Sequence, residues 1–147
     1  MIKVGNIVCL LSGLLFGGLS GGLAAGIGSM FFDLLNPVYA PSAPFTLVFF
    51  FVMGAVCGWI SHSGGAKGRV LWKNILGGVC GALSYFILHI GKSIIVLMLA
   101  GSAFWPAVTA NAVRMLTSGI NAVIAVTCSV LLAPLLHRAL RAANILD

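Results

Sequence analysis

Acidic residues are nearly absent from this chain: two in 147 positions, Asp33 and Asp147, against eight Lys and Arg. Paired carboxylates for acid–base catalysis are therefore excluded over most of its length. Charged residues of either sign make up only 7% of the sequence, far below the roughly 25% of a soluble globular domain. No nucleotide-binding loop of the G-x-x-x-x-G-K-[ST] type occurs. The four cysteines, Cys9, Cys57, Cys80 and Cys128, stand singly in apolar runs. They lack the close pairs that zinc sites and redox motifs require, so they read as small buried hydrophobes. No metal cluster, cofactor motif or enzymatic constellation emerges.

What is present is hydrophobic bulk, at 61% of positions. A soluble fold could not cover so much apolar surface, whereas a bundle in lipid need not. The composition therefore predicts an all-α integral membrane protein of about five transmembrane helices, a single transmembrane domain over 1–147. The net charge of +6 does not point to nucleic acid. Its cations stand mostly at the ends of apolar runs, with no aromatic-basic interleaving.

The punctuation of the apolar runs sets the helices. The stretch from Val4 to Leu35 is too long for one span of about 20 residues, and Gly17-Gly18 offers a turn near its middle. Helices are expected over about 4–16 and 19–35. No A-x-A-like site follows the opening residues, so they are not read as a cleaved signal peptide. Asn36-Pro37 and the prolines at 41 and 44 break the chain. Further helices are expected over about 45–62, 70–100 and 118–140, with Ala107–Leu116 as loop or short helix.

The positive-inside rule puts the loop with Lys67, Arg69 and Lys73, and the tail with Arg138 and Arg141, on the cytoplasmic side. The 36–44 loop and the Gly101–Leu116 region then face outside. Glycines four apart (Gly18 with Gly22, Gly54 with Gly58, Gly77 with Gly81) predict close helix packing.

Polar groups at membrane depth are costly and mark candidate sites. Asp33, Asn36, Tyr39, His89, Lys92 and Asn121 all fall toward the outer side and are the candidate ligand contacts. Tyr85 lies one turn from His89. An outward pocket of aromatics with a few polar groups suits a small organic ligand. Structural roles are open for the same residues. Asp33 can pair with Lys92, Tyr39 and Trp105 can be interfacial belt residues, and Asn121 can bond a neighbouring helix. On that alternative the chain is a small structural or helix-interaction membrane protein. A channel is not supported, because no helix carries a full polar stripe.

The run from Ser12, S-G-L-L-F-G-G-L-S-G-G-L-A-A-G-I-G-S-M-F-F-D-L-L-N-P, resembles the central signature of substrate-capture S components of energy-coupling factor (ECF) transporters. So do Y-A-P-S-A-P-F-T-L-V-F-F-F-V-M-G-A-V-C-G from Tyr39 and S-G-I-N-A-V-I-A-V-T-C-S-V-L-L-A-P-L-L from Ser118. The order and spacing of the three cover most of the chain. The resemblance implies capture of a vitamin or related micronutrient from outside the cell membrane. It also implies uptake through a separate transmembrane coupling subunit and two ATPase subunits. The family has six helices where five are read here, and its first helix, which helps dock the coupling subunit, has no counterpart in this reading.

Overall fold

The computed structural model describes residues 4–145; Lys3 and Asp147 lie outside the described residues. Six α-helices form: α1 (Val4–Phe16), α2 (Gly18–Leu34), α3 (Ala43–His62), α4 (Leu71–Leu99), α5 (Phe104–Ala110) and α6 (Ala112–Ala142). No strand occurs among the described residues. The sixth helix beyond the expected five is α5, seven residues long, which overlaps the stretch read as loop or short helix. The last helix begins at Ala112, six residues before the position read from the sequence. Among the described residues three helical segments, those containing α3, α4 and α6, are long and apolar enough to cross a membrane.

Each boundary has a local cause. Gly17 separates α1 from α2 with φ of 87°, a left-handed conformation that costs a side chain dearly. The first hairpin thus turns on one residue. Between α2 and α3 the chain makes a 3₁₀ turn, Ala40–Ser42, with proline in its first positions. Proline's missing N–H is harmless there.

α1 packs against α2, α3, α4 and α6, while α2 lies on α3, α3 on α4, and α4 on α6. α1 is thus the inner helix of the bundle, and Leu10 and Leu14 on it are fully buried. The α2–α3 contact is backbone on backbone. A Cβ at Gly54 would lie 2.9 Å from the Cα of Gly22, and one at Gly58 would lie 2.3 Å from the Gly17 carbonyl carbon. Only glycine permits that approach, and in lipid such dispersion contacts are a main source of helix association.

Polar groups add further ties. Ser129 Oγ donates to the Ile7 carbonyl across α6 and α1 at 3.1 Å. Ser12 Oγ donates to the Cys9 and Gly21 carbonyls. Leu23, Phe31, Ile87, Val123 and Leu135 are exposed, as expected of a surface that meets hydrocarbon. Trp59 and Trp72 at one end, and Tyr39 and Trp105 at the other, are exposed too.

Candidate functional site

Two helices build a facing pair of ladders at the Asp33 end of the bundle. On α4, Tyr85, His89 and Lys92 follow at helical spacing, so they share a face. On α3, Phe50, Phe49 and Phe45 climb in the same direction. The ladders meet rung by rung. The Phe50 and Tyr85 ring centroids are 4.8 Å apart, and Tyr85 stacks on His89 at 5.5 Å. Lys92 Nζ sits 4.0 Å above the Phe45 ring and 6.0 Å from that of Phe49. An ammonium over an aromatic face at a part-exposed site gains about 1 kcal/mol. Tyr85 and Asn121 are buried, His89 and Lys92 half-buried. Asn121 stands one turn from Ala125, a member of the same core cluster as Tyr85 and Phe50.

The remaining sequence-selected residues lie around this cluster. Asp33, near the end of α2, accepts a hydrogen bond from Thr46 Oγ1 of α3 at 2.5 Å. No ion pair joins Asp33 to Lys92 among the described residues. The pairing considered from sequence is replaced by a hydroxyl for the acid and an aromatic face for the base. Asn36 Oδ1 accepts the Val38 N–H at 3.1 Å, an Asx turn that shapes the α2–α3 loop. Tyr39 is exposed on that loop.

A second polar node lies where α4 meets the α5–α6 junction. Ser93 Oγ donates to Asn111 Oδ1 at 2.6 Å, Asn111 Nδ2 to the Ala107 carbonyl, and Arg114 Nη1 to Ser93 Oγ at 3.0 Å. Asn111 is almost wholly buried, so α5 is tied down at the rim of the cluster. Sequence reasoning placed Asn111 and Arg114 on this side but gave no sign that they meet Ser93.

Two depressions lie elsewhere on the surface. A groove of about 670 Å³ runs along α6 past Met115, Ile120 and Ile124. One of about 390 Å³ lies between α4 and α6, past Val79, Phe86 and Gly119. Both are open, apolar and free of the six sequence-selected residues. A face of that composition suits hydrocarbon. The aromatic ladder, where polar groups are held at membrane depth, is the better candidate for recognition.

An apolar helical bundle with a polar-aromatic cluster toward one end defines a multi-pass membrane protein. The sequence matches the family described as ECF-type riboflavin transporter, S component, over residues 1–141, and the chain belongs to that family. Its members are substrate-binding components of transporters rather than enzymes. The chain is also 38% identical over 84 residues to a Pyrococcus woesei protein described as an uncharacterized protein in gap 3'region. That match spans 57% of this chain and 55% of the relative, about half its length. No solved structure matches the chain.

Proposed function

We propose that this chain captures riboflavin, or a closely related flat-ring vitamin, from outside the cell membrane. It hands the ligand inward in association with a separate transmembrane coupling subunit and two ATPase subunits. The observation that carries this reading is the family match across residues 1–141. The ladder of Phe50, Tyr85 and His89 supports it, because stacked aromatics suit a planar heterocycle.

On this reading His89, Lys92 and Asn121 contact the ligand from α4 and α6. Asp33, Asn36 and Tyr39 contribute from α2 and the loop beyond it. The absence of a nucleotide motif fits a division of labour in which hydrolysis belongs to other subunits. The alternative, a structural protein that associates through glycine faces, is less favoured. Gly54, Gly58, Gly77 and Gly81 all meet neighbouring helices of the same chain.

The test begins with native mass spectrometry of the chain, purified gently in detergent from cells grown in rich medium. Titration with riboflavin follows, read by quenching of flavin fluorescence. A stoichiometric adduct of vitamin mass and saturable quenching are expected. An empty chain that neither quenches riboflavin nor takes up another vitamin overturns the proposal.

A further inference from the structure

Asn6 on α1 was not among the residues selected from sequence. It is 3% exposed, yet its Oδ1 has no hydrogen-bond partner. A buried acceptor left unpaired in an apolar setting costs about 1–3 kcal/mol. Such groups are rare enough in native proteins to require a reason. Of the three other side chains with such an atom, Asn74 and His137 each engage the 63–69 loop through a different atom, and His89 stacks on Tyr85. No such structural task is visible for the Asn6 oxygen.

Its position follows from the contacts around it. A Cβ at Gly81 would lie 3.3 Å from Leu10 Cδ2, so Leu10 of α1 faces Gly81 of α4. Asn6 is one turn from Leu10, and Tyr85 one turn from Gly81. The two helices are antiparallel here, so both steps lead toward the Asp33 end. Asn6 thus stands at the level of Tyr85, the innermost rung of the ladder, beside which Phe50 packs. On its other flank the next residue, Ile7, accepts the Ser129 hydroxyl of α6, with Ala125 and Asn121 one and two turns farther out.

We infer that Asn6 forms the floor of the binding site and that its Oδ1 accepts a hydrogen bond from a ring N–H of the bound ligand. This rests on the capture reading above. The chemistry selects a planar heterocycle with an imide or amide N–H at its leading edge, which the flavin ring possesses. A ring that takes the place of the Phe50–Tyr85 contact presents that edge to α1. Binding then satisfies an acceptor that the free protein leaves unsatisfied, and a ring without the donor is refused.

The experiment compares riboflavin with riboflavin methylated on its imide nitrogen, on the unsubstituted chain and on Asn6→Leu, by fluorescence titration in detergent. Thermal unfolding of both proteins is followed without ligand. The unsubstituted chain should bind the methylated compound at least about tenfold more weakly, the scale on which sites built for a donor reject its absence. Asn6→Leu should bind riboflavin about tenfold more weakly and no longer distinguish the two compounds. Its unfolding midpoint should hold or rise, because an orphaned acceptor is gone.

Unchanged riboflavin affinity in Asn6→Leu, or discrimination that persists there, overturns the inference and leaves the capture reading standing. If Asn6→Leu fails to fold, equal binding of the two compounds by the unsubstituted chain overturns it just as well. No binding of riboflavin by the unsubstituted chain overturns both.

Discussion

The two ends of this bundle use their polar residues differently. At the end carrying the 63–69 loop, side chains bind backbone. Lys73 Nζ donates to the Ser63 carbonyl at 2.6 Å, Asn74 Nδ2 to the Gly68 carbonyl at 2.7 Å, and His137 Nε2 bonds the Lys67 carbonyl at 2.9 Å. His62 Nδ1 bonds the Gly58 carbonyl. The first three of these contacts hold the 63–69 loop in place; the His62 bond lies within α3. At the Asp33 end Asn36 and Asn111 also bond backbone, but there side chains meet side chains as well: Tyr85 on His89, Lys92 on Phe45, Thr46 on Asp33. A ligand can replace such contacts without unravelling backbone. On the capture reading proposed above, the first end is a clasp and the second a receptor.

The largest effect should come from breaking the scaffold both ends share. In Gly58→Leu the new Cβ alone would stand 2.3–2.5 Å from the backbone of Gly17 and Gly18. Neither neighbour has a side chain that could swing away. Overpacking of this kind costs about 3 kcal/mol or more. The variant should show a much lower unfolding midpoint in detergent, and ligand binding should be lost with the fold. A midpoint close to the unsubstituted protein would show that α2 and α3 do not rely on this approach.

Next comes a variant that separates the ends. Lys92→Met keeps a long flexible stem against Phe45 and removes only the charge. If the Asp33 end is a receptor, riboflavin affinity should fall about ten- to a hundredfold, equivalent to roughly 1.4–2.7 kcal/mol. The unfolding midpoint without ligand should move little. A drop in stability with unchanged affinity would make Lys92 a structural residue. The counterpart at the clasp is Asn74→Ala, which removes the bond to the Gly68 carbonyl and costs about 1–2 kcal/mol of stability. Affinity there should be unchanged, as judged by the same titration.

The contrast between the ends was partly legible in the sequence. Long apolar runs broken at Gly17-Gly18 and Asn36-Pro37 announce a helical membrane bundle, because those residues act locally. Charge alone placed Lys67 and Lys73 at one end and Asp33 at the other. The start of α6 was hidden. Asn111 is held by Ser93 of α4 and by Ala107, partners that spacing does not reveal. The partners of Asp33 and Lys92 were hidden for a related reason. Opposite charges suggest a pair, whereas the fold offers Thr46 and Phe45 at closer quarters. Asn6 sits in an otherwise apolar run, and the rule that drew attention to Asn121 applies to it equally. The hydrophobicity of its neighbours masked it.

The smallest expected effect on stability is also the one that best separates a receptor from a structural pin. In Asp33→Asn the side chain keeps an oxygen to accept the Thr46 hydroxyl and loses only its charge. The α2–α3 hydrogen bond survives, weakened from a charge-assisted to a neutral one, a change of about 1 kcal/mol or less. Thermal unfolding without ligand should therefore shift slightly. If Asp33 contributes to capture, riboflavin affinity should change by more than that shift accounts for, because a neutral amide presents a donor where the ligand met only acceptors. A lower midpoint or altered assembly with no ligand-dependent effect would favour the structural reading of this end. The ladders would then be packing that happens to be polar.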